Sequence, residues 1–494
     1  MSLGRNAGLA QEASALVVVV KPVRAADGTV SALEIREQLQ SSTRDGAPLS
    51  LKAALSAITV KHIADSITNL QVTDAQGSVP LTTTDDPPVT SDDSAYRHWK
   101  ATRQTNSPIA ISYRFPTNPT VARRGPPLGM ERAGQGVAGS GIGFFLLPEN
   151  STSETTRLSW DLSDMPTDSV GVTTAGGGQV NIAGPPSELF KLWVLAGPAL
   201  AVHAPPPSGF SAYLVGTPPF DGTEMLKWAS KAYSSIGSSF QYMGLPKYNL
   251  MIRALDGESL GTGTAGEGRG ASLINVGKTY WPDQDRTYFR NTIFHEMTHQ
   301  WVGLIKDRAS WYEEGLTVYV TATLPCESHL LSPAECADDL NRTLESYYTS
   351  EGRNWSQQKI TDSPFLNEGV RDVPYGRGAL YFANLNSQLL TKSHGRRDLE
   401  TALHPLLVAR RDGSGLDQAD FEAMLRRELG RVAVTEFHEE VIDGTKEIVP
   451  PSNAFGPCLM RVRVTFPSEK GGNSVNGYVW HPIGKGAPAL CNIP

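Results

Sequence analysis

His295-Glu296-Met297-Thr298-His299 sets two histidines four residues apart, with a glutamate beside the first. On an α-helix, residues four apart share one face, so both imidazoles can reach a single ion. Glu296 lies about 100° round the helix from His295, because the helix turns once every 3.6 residues. That position suits contact with water at the ion rather than with the ion. Zinc lowers the pKa of such a water towards ~7, and a carboxylate can take its proton as it attacks a carbonyl carbon. The chemistry predicted is hydrolysis.

A hydrolytic zinc site needs a third protein ligand and an open position for water. The next carboxylates on a plausible helix are Glu313 and Glu314. KDRAS (306–310) supplies a polar turn, and Ser310-Trp311-Tyr312-Glu313 has the capping-box form S-x-x-E. In that reading Ser310 caps the helix and Glu313 reaches back to its backbone N–H. Glu314 is then free to face the histidines, and is expected as the third ligand of one Zn2+. The alternative is a core helix with two incidental histidines. The apolar period around the motif, and the carboxylate-bearing helix soon after it, weigh against that.

These residues need rigid elements to hold them. From about 286 to 430 helical patterns dominate, including TYFRNTIFHEMTHQWVGLI, GALYFANLNSQLL and DFEAMLRREL. Before them, Leu226, Ala229, Ala232 and Ile236 have helical spacing, and YNLMIRAL (248–255) reads as a buried strand. A glycine-rich loop then leads to SLINV, expected as an edge strand able to pair with substrate backbone. Gly261 to Gly266 match G-x-G-x-x-G, but a dinucleotide site requires a helix directly after the glycines, and a strand-like run follows instead.

Residues 14–205 are expected to be β-rich, with short apolar or alternating runs between Gly, Pro, Asp and Asn clusters. ALVVVV (15–20) and the run after it read as two strands around an Ala-Asp-Gly turn. HAPPPSG (203–209) reads as a linker. The predicted organisation is α+β and multidomain. A β-sandwich or saddle domain (14–205) precedes a catalytic domain with the HExxH motif (206–330). A mostly helical region completing the active site (331–450) and a short C-terminal segment (451–494) follow.

The net charge of −7 argues against nucleic-acid or anionic-membrane binding. No run reaches the roughly 18–20 apolar residues of a membrane span. The opening MSLGRNAGLAQEA lacks a basic start leading into an apolar stretch, and reads as a mature N-terminus behind a Met. Cys326 and Cys336 flank a short loop, while Cys458 and Cys491 bracket the last segment. Two local pairs favour disulfides and a periplasmic or secreted protein; four buried thiols in a cytoplasmic one are the alternative. NST (150–152), NRT (341–343) and NWS (354–356) match the glycosylation acceptor pattern, which is common by chance.

HEMTHQWVG resembles the HExxHQWFG of the aminopeptidase N family, and WYEEGLTVY resembles its WLNEGFAEY. The glycyl aminopeptidase family has comparable motifs. Similarity to these gluzincin aminopeptidases implies a thermolysin-like catalytic domain, a peptide substrate and Glu314 as a zinc ligand. Val373 to Gly378, VPYGRG, is similar to the family's VPYxKG, which implies that Tyr375 stabilises the oxyanion. Two departures stand out. Only 14 residues separate His299 from Glu314, four fewer than is usual for aminopeptidase N. The GxMEN motif that grips a substrate's free amine is absent, and GEGRGASLINVG holds its place, with Glu267 as the candidate substitute. The function expected is a zinc metallopeptidase, aminopeptidase-like. An endopeptidase of the same fold, or an inactive peptide-binding protein on a peptidase scaffold, are the alternatives.

Overall fold

The computed structural model describes residues 15–41, 43–58, 60–88, 94–117, 126–255, 262–264, 270–277, 286–303, 305–306, 309–363, 368–412, 415–467, 474–484 and 491. Two compact units divide the chain: Met1–Ser230 with Lys247–Gln284, and Lys231–Pro246 with Asp285–Pro494. The protein is a mixed α/β, multidomain chain, β-rich towards its N-terminus and helical towards its C-terminus.

In the first unit, ALVVVV and the run after it form the expected hairpin, Leu16–Arg24 against Val30–Leu39. Its turn is fixed by Asp27, which accepts from the Thr29 amide at 2.9 Å, and by Gly28, whose φ of +86° suits a residue without a Cβ. Alternation then buries Leu16, Val18 and Val20 with Leu33, Ile35 and Leu39. The hairpin lies inside a seven-stranded sheet. Its order is Val180–Ala183, Thr155–Trp160, Leu16–Arg24, Val30–Leu39, Ile109–Pro116, Thr68–Asp74, Gly77–Ser78. Phe144, Phe145 and Leu147 join the same apolar core.

Among the further sheets of this unit is a mixed five-stranded one, in the order Leu200–His203, Gly209–Val215, Lys247–Leu255, Ala271–Gly277, Thr262–Thr264. The middle three strands are parallel and the outer two antiparallel to their neighbours. Arg253, fully buried on the central strand, pairs with Glu131 at 2.9 Å and donates to Asn275 Oδ1 and the Gly129 carbonyl, each at 2.8 Å. Two expectations are corrected here. HAPPPSG is not a linker but the connection between directly paired strands, Leu200 opposite Leu214 through His203 opposite Ser211. Its prolines sit where no ladder needs an N–H donor. SLINV is not an edge, because Ala271–Gly277 pairs with Lys247–Leu255 on one side and Thr262–Thr264 on the other. Glu267 lies outside the described residues.

Helix α1, Gly222–Phe240, bears out the spacing read from the sequence, with Leu226, Ala229, Ala232 and Ile236 all buried. The second unit is built mainly from α2 (Arg286–Val302), α3 (Ser310–Glu327), α4 (Pro333–Thr349) and α5 (Val373–Ser393). Shorter helices at Leu399–Arg411, Gln418–Glu428 and Arg431–Phe437 follow. Trp311 anchors their apolar core, its ring 5.1 Å from Phe421 and 4.8 Å from Phe437. A hairpin, Leu459–Phe466 with Val475–Pro482, is tied to α4 by Asn341, whose side-chain amide accepts from the Trp480 N–H and donates to its carbonyl, each at 2.8 Å. The cysteines pair as the sequence suggested, Cys326 with Cys336 and Cys458 with Cys491. Among the described residues, no helix is long and apolar enough to cross a membrane.

Candidate metal centre

Helix α2 runs from Arg286 to Val302 without proline or glycine, and buries Phe289, Ile293, Phe294, Met297 and Trp301. It ends at Gly303, which takes a φ of +68° and returns its N–H to the His299 carbonyl at 3.0 Å. This is the left-handed termination that glycine permits. Arg410 donates to the Trp301 carbonyl at 3.2 Å, placing a cation at the negative end of the helix dipole.

This helix brings His295 and His299 together, with Nε2 atoms 3.1 Å apart. Glu314 Oε2, from α3, lies 3.2 Å from His295 Nε2 and 3.5 Å from His299 Nε2. Three donors around one tetrahedral zinc at its usual bond lengths would sit roughly 3.3 Å apart, so this set fits such an ion. The three side chains keep 16%, 5% and 20% exposure, enough for water and substrate to reach them. Burial works to lower the His295 pKa, but the bond to Glu314 and that carboxylate's charge outweigh it and raise it. Burial likewise works to raise the Glu314 pKa, and the two histidines hold it well below the usual range.

The capping reading of α3 is corrected. Ala309, not Ser310, precedes the helix, and no side chain caps it. The Ala309 carbonyl accepts from the Tyr312 and Glu313 amides, while the Ser310 hydroxyl is taken by Gln357 Nε2 at 3.0 Å. Glu313 instead sends Oε1 to within 3.9 Å of His299 Nδ1.

Tyr375 is in the first turn of α5, behind Pro374, which tolerates that place because its missing N–H is not needed there. Its ring stacks on His295, with centroids 6.0 Å apart and planes 11° apart. Burial pushes the phenol well above its usual pKa, and the charge of Glu314 adds to this. Glu296 adjoins His295 on α2, buried at 7% exposure.

Two features that the sequence reading passed over hold this arrangement. Gly315 and Gly378 meet where α3 crosses α5, and a Cβ on Gly378 would stand 2.5 Å from both Gly315 Cα and the Trp311 carbonyl oxygen. That approach sets Glu314 beside the first turns of α5. Arg377, fully buried, donates to the carbonyls of Val441 (3.1 Å), Arg353 (2.8 Å) and Trp355 (2.7 Å), and so fixes the α5 turn that carries Tyr375. Glycines inside helices, where they cost about 1 kcal/mol against alanine, were the available signal for the crossing.

Residues 304–367 match the M61 glycyl aminopeptidase family. That segment contains Glu314 but neither histidine nor Tyr375. An aminopeptidase N family protein from Idiomarina loihiensis has a similar fold, with a TM-score of 0.72 at 15% identity. The alignment covers 91% of this chain and 80% of that one. An M1 zinc metallopeptidase from Deinococcus radiodurans is more distant, with a TM-score of 0.46 at 14% identity over 88% of this chain and 95% of its own. No curated protein matches the sequence. The resemblance to the gluzincin aminopeptidases is therefore borne out, in sequence over one segment and in fold over most of the chain. The family match over that segment leads to one class of hydrolase, the peptidases.

Proposed function

We propose that the protein is a zinc-dependent metallopeptidase, with His295, His299 and Glu314 as ligands of one ion. The convergence of their three donor atoms, all within 4.8 Å of one another, carries this reading. Zinc bound there would supply Lewis-acid activation of water and of the scissile carbonyl. Glu296, beside His295 and largely shielded from solvent, accepts the proton of the attacking water and passes it to the leaving amine. Tyr375, kept neutral by burial, donates a hydrogen bond to the oxygen that gains charge.

The match to a glycyl aminopeptidase family over the segment holding Glu314 supports an aminopeptidase-like action on peptides, in a thermolysin-like catalytic domain. The missing GxMEN motif favours endopeptidase action as the second reading. Two disulfides support a periplasmic or secreted setting, since such bonds persist in oxidising compartments. Metal analysis of the purified protein should find one zinc per chain, lost in His295→Ala and Glu314→Ala. Glu296→Gln should keep zinc and lose turnover by about 10²-fold or more. Zinc retained by both ligand variants, or turnover preserved without Glu296, overturns the assignment. Cleavage of N-terminally blocked and free peptides at equal rates would select the endopeptidase reading.

A further inference from the structure

Behind His299, on the side away from Glu314, the structure shows a second set of contacts. Thr317, fully buried on α3, donates its hydroxyl to the Glu313 carbonyl at 2.7 Å. A hydroxyl has one proton, so once that bond is made its oxygen can only accept elsewhere. The same Oγ1 lies 3.3 Å from His299 Nδ1. The Glu313 carboxylate, also an acceptor, lies 3.9 Å from that nitrogen. Two acceptors facing one ring nitrogen require it to carry the proton. A neutral imidazole protonated at Nδ1 has its lone pair on Nε2. Nε2 is the atom that faces His295 Nε2 at 3.1 Å and Glu314 Oε2 at 3.5 Å.

We infer that Thr317 is a positioning residue for the metal site, selecting the His299 tautomer whose Nε2 can bind the ion and holding the ring at that angle. This rests on the metal-site reading above. Histidine ligands commonly donate their second N–H to such a partner, and losing the partner typically weakens metal binding 10- to 100-fold. One helix thereby grips both nitrogens of His299: Glu314 stands in front of the ring, Thr317 and Glu313 behind it.

The test is zinc affinity, measured on the full-length, metal-stripped protein by competition with a chelator. Thr317→Val keeps the volume and removes the hydroxyl, and should raise the zinc Kd by about 10- to 100-fold. Thr317→Ser keeps the hydroxyl and should stay within about threefold of the wild type, on the same principle. Thermal unfolding of the metal-free proteins checks that both variants fold. Wild-type affinity in Thr317→Val overturns the inference, and so does a loss in Thr317→Ser as large as that in Thr317→Val, which would point to packing alone. A wild-type protein that binds no zinc overturns the metal-site reading itself.

Discussion

Glu313 and Glu314 are adjacent in sequence, yet they face opposite nitrogens of one histidine. The helix period alone explains why the two histidines could be paired from sequence, since four residues make about one turn. Glu314 also arrives beside His295 as expected, but by a different route. The Ser310 cap invoked to occupy Glu313 does not form, because Ser310 is already helical and serves Gln357. Thr317 was not legible, since its contact with His299 is made across 18 positions and two helices. Tyr375 carries the residue-scale prediction. It stacks on His295 and burial keeps its phenol neutral, and the role proposed for it is to act on charge that appears only during reaction. Tyr375→Phe should lower kcat by about 10²–10³-fold with little change in KM, the signature of a contact made in the transition state. Its zinc content should stay at the wild-type level. A rise in KM with kcat intact would assign the phenol to substrate binding instead.

Helices α3 and α5 depend on bare backbone where they cross. The sequence patterns announced both helices, but not that they touch at Gly315 and Gly378, because periodicity gives an element's face and not its neighbour. The same limit explains SLINV, whose strand form was legible while its pairing on both sides was not; HAPPPSG was misjudged because the strands on either side of it pair with each other. A methyl group at Gly378 has no room, so Gly378→Ala must force the helices apart. Overpacking of this kind costs about 1–3 kcal/mol, readable as a lower urea midpoint. The same shift should draw Glu314 from the histidines and weaken zinc binding. Unchanged stability and affinity together would mean that the crossing is loose. A second tie between helices reinforces the site from α4. There the capping-box carboxylate of Glu335 also accepts from Thr287 of α2 at 3.2 Å, two turns before His295.

Across the whole molecule, the change from alternating apolar runs to helical periods told correctly that a β-rich portion precedes a helical one. The same alternation that buries Leu33, Ile35 and Leu39 also turns one polar group towards the core. Glu37 occupies an inward position of the strand Val30–Leu39, opposite Val18 and Ile111, at 3% exposure. Burial pushes its carboxyl well above the usual glutamate range, against the opposing hydrogen bond of Tyr113. The folded chain therefore keeps this proton to a higher pH than the unfolded chain, where glutamate titrates near about 4.3. Below that value the group contributes its full stability. Above it the unfolded chain releases the proton first, so stability falls as pH rises towards the folded pKa. Glu37→Gln, neutral throughout, removes that loss. Its stability relative to the wild type should rise as pH climbs above the unfolded-chain value, with a slope approaching about 1.4 kcal/mol per pH unit while the folded carboxyl stays protonated. Urea unfolding of both proteins at a series of pH values above it measures the slope. A difference that does not change with pH would mean that Glu37 ionises in the folded chain as it does in the unfolded one.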